Sequence, residues 1–393
     1  MTDVVNWIVT IIAFFFIISL LVFVHELGHF LTAKFFGVYV REFAIGFGKT
    51  IWSKKWKNTI YAIRLVPLGG FVELEGEVSS KEGPNAFRNK PAYQKILILV
   101  AGVAMNLIFA TLLFALFLPG NGYRFSLPAV TDYNFSNTQE AVKAFPITVV
   151  SVNPDGPSAG QLNEGEVIIG IDGTRVVSYS NFQQILKDSQ EKTVQFEFIN
   201  MDTYKTTTRD IRVGKANDKG AILDVGLNFD RTLPYPVYLL NYNNNITAAA
   251  SLTTDTSFFL FKSLGSLFGN AFQSGNYSEV AQSVGGLPTL ANNVGQVVEV
   301  REFTFLIPLA ALISISLAIF NILPFPALDG GQAFVVLLES LTRRKVPDSI
   351  LSKINTFGFL FLIGLAILVN LKDVIQLGWL NNIGNFFKSI VGR

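Results

Sequence analysis

The chain contains two histidines, and both lie in one pentapeptide, His25-Glu26-Leu27-Gly28-His29. On a helix, positions i and i+4 share a face. Two imidazoles so placed can hold one divalent ion at about 2.0–2.1 Å. Glu26 sits beside them, where it can take a proton from a water that such an ion activates. This is the H-E-x-x-H pattern of zinc-dependent hydrolysis. A catalytic zinc needs a third protein ligand and an open fourth position. With no cysteine and no other histidine in the chain, the third ligand must be Asp or Glu. The lack of cysteine also excludes disulfides and thiol nucleophiles.

Asp329 is the candidate. It is the one charged residue between Phe303 and Val336, in Asn321-Ile-Leu-Pro324-Phe-Pro326-Ala-Leu-Asp329-Gly330-Gly331. A carboxylate at membrane depth is costly and normally has a partner or a function. The two prolines break a helix there, and Gly330 and Gly331 read as turn formers. Irregular backbone at that depth is tolerated against protein or a watery cavity. Asp329 as a helix cap is the plainer reading.

Half the residues are hydrophobic and 15% are charged, a composition of polytopic membrane proteins. Residues Trp7 to Val24, just before the motif, carry no charge. Four spans are expected, at 1–36 with the histidine motif, 96–118, 303–338 with Asp329, and 354–372. Met1 to Asn6 hold no Lys or Arg, which argues against a signal peptide. Residues 34–95 hold 11 Lys/Arg in 62 positions, against 13 in the 186 positions from 119 to 304. Arg343, Arg344, Lys345 and Lys353 mark the connection at 339–353. The positive-inside rule then puts 37–95 and 339–353 in the cytoplasm, and 119–302, both termini and the 373–393 tail outside. Both half-sites meet near the cytoplasmic side. The net charge of +2 gives no sign of a nucleic-acid partner, and none is expected.

Residues 38–45, 60–66 and 71–74 alternate as strands. A strand edge beside the ion could hold an unwound substrate segment by strand addition. A hairpin lying on the membrane is the alternative. Gly46-Phe-Gly48-Lys49-Thr50 is not a phosphate-binding P-loop, because Phe43 stands where the pattern needs glycine. From 123 to 230 the composition turns soluble. Strands are expected at 147–152, 166–171, 174–177, 193–199 and 206–213, a short helix at 158–162, and a helix through Leu186 capped by Asn181. The 231–302 connector carries an apolar helical stripe of Leu260, Phe261, Leu264, Leu267, Phe268, Ala271 and Phe272, suited to a membrane interface.

The histidine motif together with Asn321-x-x-Pro324-x-Pro326-x-Leu328-Asp329-Gly330 resembles the site-2 protease family of intramembrane zinc metalloproteases, nearest the bacterial branch that cleaves anti-sigma factors. The likeness continues through Phe43-Ala-Ile-Gly46-Phe-Gly48, Arg64-Leu-Val-Pro67-Leu-Gly69-Gly70-Phe71-Val72 and Ala101-Gly102-x-x-x-Asn106, with Val103 where the family usually has proline. The segment 123–230, with Pro-x-Gly-Pro-Ser-Ala-Gly and Gly-Glu-Val-Ile-x-x-Ile-Asp-Gly, looks like a single bacterial PDZ domain. The resemblance implies a polytopic α-helical fold with a membrane-associated β-hairpin and an inserted extracytoplasmic PDZ domain. It implies Zn2+ held by His25, His29 and Asp329, Glu26 as catalytic base, and Asn321, Pro324 and Pro326 as substrate-positioning groups. It further implies an inner-membrane location, single-span membrane proteins as substrates within the lipid bilayer, such as anti-sigma factors or remnant signal peptides, and an upstream site-1 type protease.

Two rivals compete. A catalytically silent PDZ scaffold would have no need of all four polar site residues. A metal transporter predicts further intramembrane carboxylates or histidines along a path, and the sequence holds one such cluster. Ligand type points to zinc, though other divalent metals share such sites.

Overall fold

The computed structural model describes residues 2–378, apart from 78–82, 84, 136, 146, 153, 156–158, 177, 201–205, 216–224 and 230–236. Among the described residues, four helices are long and apolar enough to cross a membrane: Val5–Phe35, Ala92–Phe117, Phe303–Ile322 and Ser349–Gln376. The chain divides into two units, residues 1–114 with 256–393, and residues 115–255.

In the first unit, α1 (Thr2–Phe35) carries the histidine motif. It ends on Gly37 at φ 67°, with Val38 N–H donating to Ala33 O and Gly37 N–H to Lys34 O. This is the left-handed glycine stop that satisfies the last helical carbonyls. The chain then enters β1 (Val40–Trp56) and β2 (Thr59–Leu74). Each strand is bent, so the pair makes a sheet with four segments. Gly46 and Gly48, at φ 86° and 82°, bend β1. Ala44 then has Ala62 on one side and Phe71 on the other, while Ser53 pairs with the far side of Ala62. The segment order is therefore 50–56, 59–66, 40–45 and 70–74.

Next come α2 (Ala92–Phe117) and, after the second unit, α4 (Ala248–Ser274), α5 (Ser278–Ser283) and α6 (Leu287–Glu299). Then follow α7 (Leu306–Ile322), α8 (Asp329–Thr342) and α9 (Asp348–Gln376). Val294 and Val298 of α6 pack with Phe14, Ile17 and Leu21 of α1 and Ala310 and Ile313 of α7. Asp373 of α9 accepts the Gly286 N–H at 2.7 Å and the Thr289 hydroxyl at 2.6 Å, capping the start of α6. The stretch 303–338 forms two helices, α7 and α8, with the break that its prolines predict between them. The Pro324–Pro326 stretch breaks it, and Ala327 takes φ 72° before α8 begins.

The second unit contains a sheet ordered β10-β5-β6-β8-β9, with β7 paired to β6. These strands are β5 (Ile147–Val152), β6 (Val167–Ile171), β7 (Thr174–Arg175), β8 (Thr193–Ile199), β9 (Thr206–Arg212) and β10 (Val225–Phe229). Helix α3 (Tyr179–Asp188) buries Phe182 and Leu186 against Ile147, Ile168 and Phe196. Its N-cap is Ser178, whose hydroxyl accepts from Asn181 N–H, so the cap lies three residues before the expected Asn181. The helix expected at 158–162 falls partly outside the described residues, and 159–162 are turn and bend. A second, three-stranded sheet joins β3 (Arg124–Pro128), β11 (Val237–Asn241) and β4 (Glu140–Ala144). Val142, Val237 and Leu239 of this sheet pack on Val167, Ile169 and Ile199.

Candidate metal centre

The site lies where α1, α2 and the start of α8 meet. His25 Nε2 and His29 Nε2 stand 3.1 Å apart. Asp329 Oδ2 lies 3.0 Å from the first and 3.3 Å from the second. Tetrahedral ligands at 2.0–2.1 Å from one ion stand roughly 3.3–3.4 Å from each other. The three atoms therefore fit the face of a zinc tetrahedron to within a few tenths of an ångström. They are also the one His/Cys/Asp/Glu group of metal-binding geometry among the described residues.

The far side of each ring is held. His29 Nδ1–H donates to the Ile98 carbonyl of α2 at 2.8 Å, which leaves Nε2 with its lone pair toward the ion. His25 Nδ1 faces the Asn106 amide of α2 at 3.2 Å. With Nε2 committed to an ion, Nδ1 carries the proton and needs an acceptor. In the structure Asn106 Nδ2 stands nearest the ring and Oδ1 is buried without a hydrogen-bond partner; rotating the amide by 180° would aim that oxygen at Nδ1–H and satisfy both groups. Ser314 Oγ of α7 donates to Asn106 O at 2.8 Å and fixes this turn of α2.

Two glycines let the helices approach. A Cβ on Gly102 would stand 2.4 Å from His29 Nε2, and one on Gly28 would stand 2.4 Å from Ala101 O. Gly330 and Gly331 are not turn residues. They lie in the first turn of α8, where a Cβ would meet Ile322 O at 2.1 Å and Phe325 O at 2.0 Å. They let the α8 start pack under the broken loop that precedes it. Asp329 is the first residue of α8, after Leu328 at the cap, so its side chain is free for the histidines.

Glu26 borders the 70–74 segment. Its Cγ is 3.5 Å from where a Gly70 Cβ would be, and the Val72 N–H reaches its carboxylate. Among the described residues that segment has a sheet neighbour on one side only, residues 40–45. Pro324 is exposed, and Asn321 and Pro326 are half-buried. Pro326 packs on Gly358 of α9, Ala327 N–H donates to Asn355 Oδ1 at 3.4 Å, and Phe325 meets Phe361 at 5.5 Å. The loop thus leans on α9. Among the described residues Asn321 makes no side-chain hydrogen bond.

Sequence reasoning did not assign a role to Asn106, Gly102 or Glu77. Glu77 follows the hairpin within electrostatic reach of His29, Asp329 and Glu26, and burial pushes its carboxyl up to about 7 while His29 pulls it down. It sits in a run with Glu73 and Glu75, so nothing in the sequence singled it out.

Residues 13–365 match the family described as peptidase family M50. A protein of Clostridium perfringens named "putative zinc metalloprotease" is 30% identical over 358 residues, 91% of this chain and 96% of that protein. A chloroplastic membrane metalloprotease of Arabidopsis thaliana is 28% identical over 93% of this chain and 78% of that protein. Among solved structures, the PDZ domain of an SdrC-like protein from Listeria monocytogenes is 26% identical, covering 22% of this chain and 90% of that one, at TM-score 0.19. The family match spans the histidine motif, the hairpin, Asn106 and Asp329 alike, and the chain belongs to peptidase family M50.

Proposed function

We propose that the chain is a zinc metalloprotease that cleaves transmembrane segments of single-span membrane proteins inside the bilayer. The observation that carries this is the convergence of His25 and His29, on a helix of membrane-spanning length, with Asp329 at the start of the shorter α8 and Glu26 alongside. His25 Nε2, His29 Nε2 and Asp329 Oδ2 would hold the ion. Bound there, zinc supplies Lewis acidity toward a carbonyl and a water of lowered pKa.

The chain's own groups do the rest. The Glu26 carboxylate takes a proton from the attacking water and returns it to the leaving amine. Ile98 O and Asn106 hold the two imidazoles in the required tautomer. A substrate helix shields its peptide bonds, so it must extend before hydrolysis. The free edge of 70–74, beside Glu26, offers strand addition to replace the lost backbone bonds. In this reading Asn321, Pro324 and Pro326 position the extended backbone.

The charge asymmetry of the loops supports a centre near the cytoplasmic face of a bacterial inner membrane, with residues 123–230 outside as a PDZ domain. There it takes a chain end or excludes bulky external domains. Exposed Phe261, Phe268 and Phe272 support α4 lying at the outer interface. Anti-sigma factors or remnant signal peptides, trimmed first by an upstream site-1 type protease, are the expected substrates.

The test is mass-spectrometric mapping of cuts in a panel of single-span proteins reconstituted with the enzyme. Cuts within the apolar segments support the reading. Cuts confined to flanking soluble loops contradict it.

A further inference from the structure

The β1–β2 sheet runs along α1, and its two ends lie at different levels of that helix. At one end Ser19 Oγ donates to Pro67 O at 2.8 Å. At the other, Lys34 Nζ donates to Thr59 Oγ1 at 2.8 Å. Ser19 and Lys34 are about 22 Å apart along the helix axis at 1.5 Å per residue. Ser19 is near the middle of the span Val5–Phe35 and Lys34 is at its end. The Pro67 turn is therefore deep, and the Lys57–Asn58 turn lies where α1 leaves the apolar layer.

Segment 50–56 is the outer edge of this sheet and pairs only with the start of β2 among the described residues. Trp52, Lys54 and Trp56 share one face by alternation, opposite Ile63, Tyr61 and Thr59. That face is the one turned to α1. Tyr61 meets the Phe30 ring at 6.0 Å, and Phe43, its lateral neighbour, meets Phe23 at 5.8 Å and Phe30 at 5.2 Å. The edge strand overhangs beside the helix. Trp52 is 50% exposed, Trp56 61% and Leu65 61%. Lys54 and Lys57 are exposed, and Lys57 Nζ lies 5.5 Å from the Trp56 ring. No acidic residue occurs between Glu42 and Glu73, and Glu42 is taken by Arg64 at 2.6 Å. Lys55 points the other way, into a cavity lined by Glu42, Glu73 and Glu75.

We propose that this edge is a binding site for anionic phospholipid headgroups. Lys54 and Lys57, beside Lys34, take the lipid phosphate. Trp56 sits at the headgroup level, where indole rings concentrate. Trp52, Ile63 and Leu65 lie deeper, among the acyl chains. The order of apolar, aromatic and cationic groups follows the order of membrane layers, and the uncompensated positive charge selects anionic over zwitterionic lipid. Binding here steadies the sheet whose other edge borders Glu26. The site does not depend on the protease reading.

The test uses the full chain with Trp7→Phe and Trp379→Phe, which leaves Trp52 and Trp56 as its only tryptophans. It is reconstituted in vesicles of phosphatidylcholine and phosphatidylglycerol in which one lipid or the other carries brominated acyl chains. The expected result is enrichment of the anionic lipid beside the tryptophans by at least about fivefold, read from quenching, the factor that one engaged lysine alone gives. Lys54→Gln with Lys57→Gln removes the enrichment, and Lys55→Gln keeps it. Equal quenching by the two lipids overturns the proposal. So does enrichment that survives the double substitution, or that Lys55→Gln abolishes equally.

Discussion

The amide of Asn106 stands 3.2 Å from Nδ1 of His25, on the side of the ring away from the metal face. This contact couples α2 to the metal centre without touching the ion. Asn106→Leu is expected to leave the helices folded, because leucine fits a helical apolar setting, but to free the His25 ring. Zinc affinity should fall roughly 10- to 100-fold, as for other lost partners of ligating histidines. Competition with a chelator on the purified protein checks this. Unchanged affinity would remove Asn106 from the account.

Gly102 is a steric requirement of the same place. Gly102→Val puts a side chain where His29 Nε2 and His25 Nε2 now lie, at 2.4 and 2.8 Å from the new Cβ. Copurifying zinc should drop to a small fraction of one equivalent while helix content by circular dichroism is kept. Retained stoichiometric zinc would show that α2 can move aside.

Val72 lies on the free sheet edge and sends its N–H to Glu26. Val72→Pro removes that donor and spoils the edge for strand addition. Cleavage should fall by about 100-fold or more, the scale of an impaired general base, with zinc content unchanged. Loss of zinc together with activity would instead place Val72 in support of the metal centre.

In the second unit, Arg209 Nη2 holds both oxygens of Glu166, at 2.8 and 2.6 Å. Burial raises the Glu166 carboxyl, but Arg209 and Asn163 outweigh it and hold it below the ordinary 4.5. A lowered folded value means stability that is present above about pH 4.5 and lost as pH falls through the folded value. Hydrogen exchange of β8 and β9 in the full chain should therefore show more protection than Arg209→Gln at neutral pH. The difference should shrink below pH 4.5. A difference that grows on acidification would reverse the sign.

The meeting of His25, His29 and Asp329 was legible because these residues are rare in their surroundings. Two histidines and one carboxylate in apolar stretches have few other reasons to be there. The break between α7 and α8 was legible from Pro324 and Pro326 for the same kind of reason. Gly330 and Gly331 were misread as turns because their actual constraint is a backbone from another part of the loop at 2.0–2.1 Å, which composition does not reveal. Asn106 entered the sequence reading only within the Ala101-Gly102-x-x-x-Asn106 motif and was given no role, since its partner is 81 positions away. The small sheet joining Arg124–Pro128 to Val237–Asn241 was missed because its pairing spans over a hundred residues, beyond any local pattern. The Ser178 cap was missed through competition between two good capping residues three apart.

The central claim is a proton taken by Glu26 at a metal held by His25, His29 and Asp329. The measurement that tests it most directly is cleavage of tagged single-span substrates by reconstituted enzyme and by Glu26→Gln, with zinc content measured on both. The account predicts equal zinc and at least roughly a 100-fold loss of cleavage in the variant. Equal cleavage by the two proteins at equal zinc would contradict it.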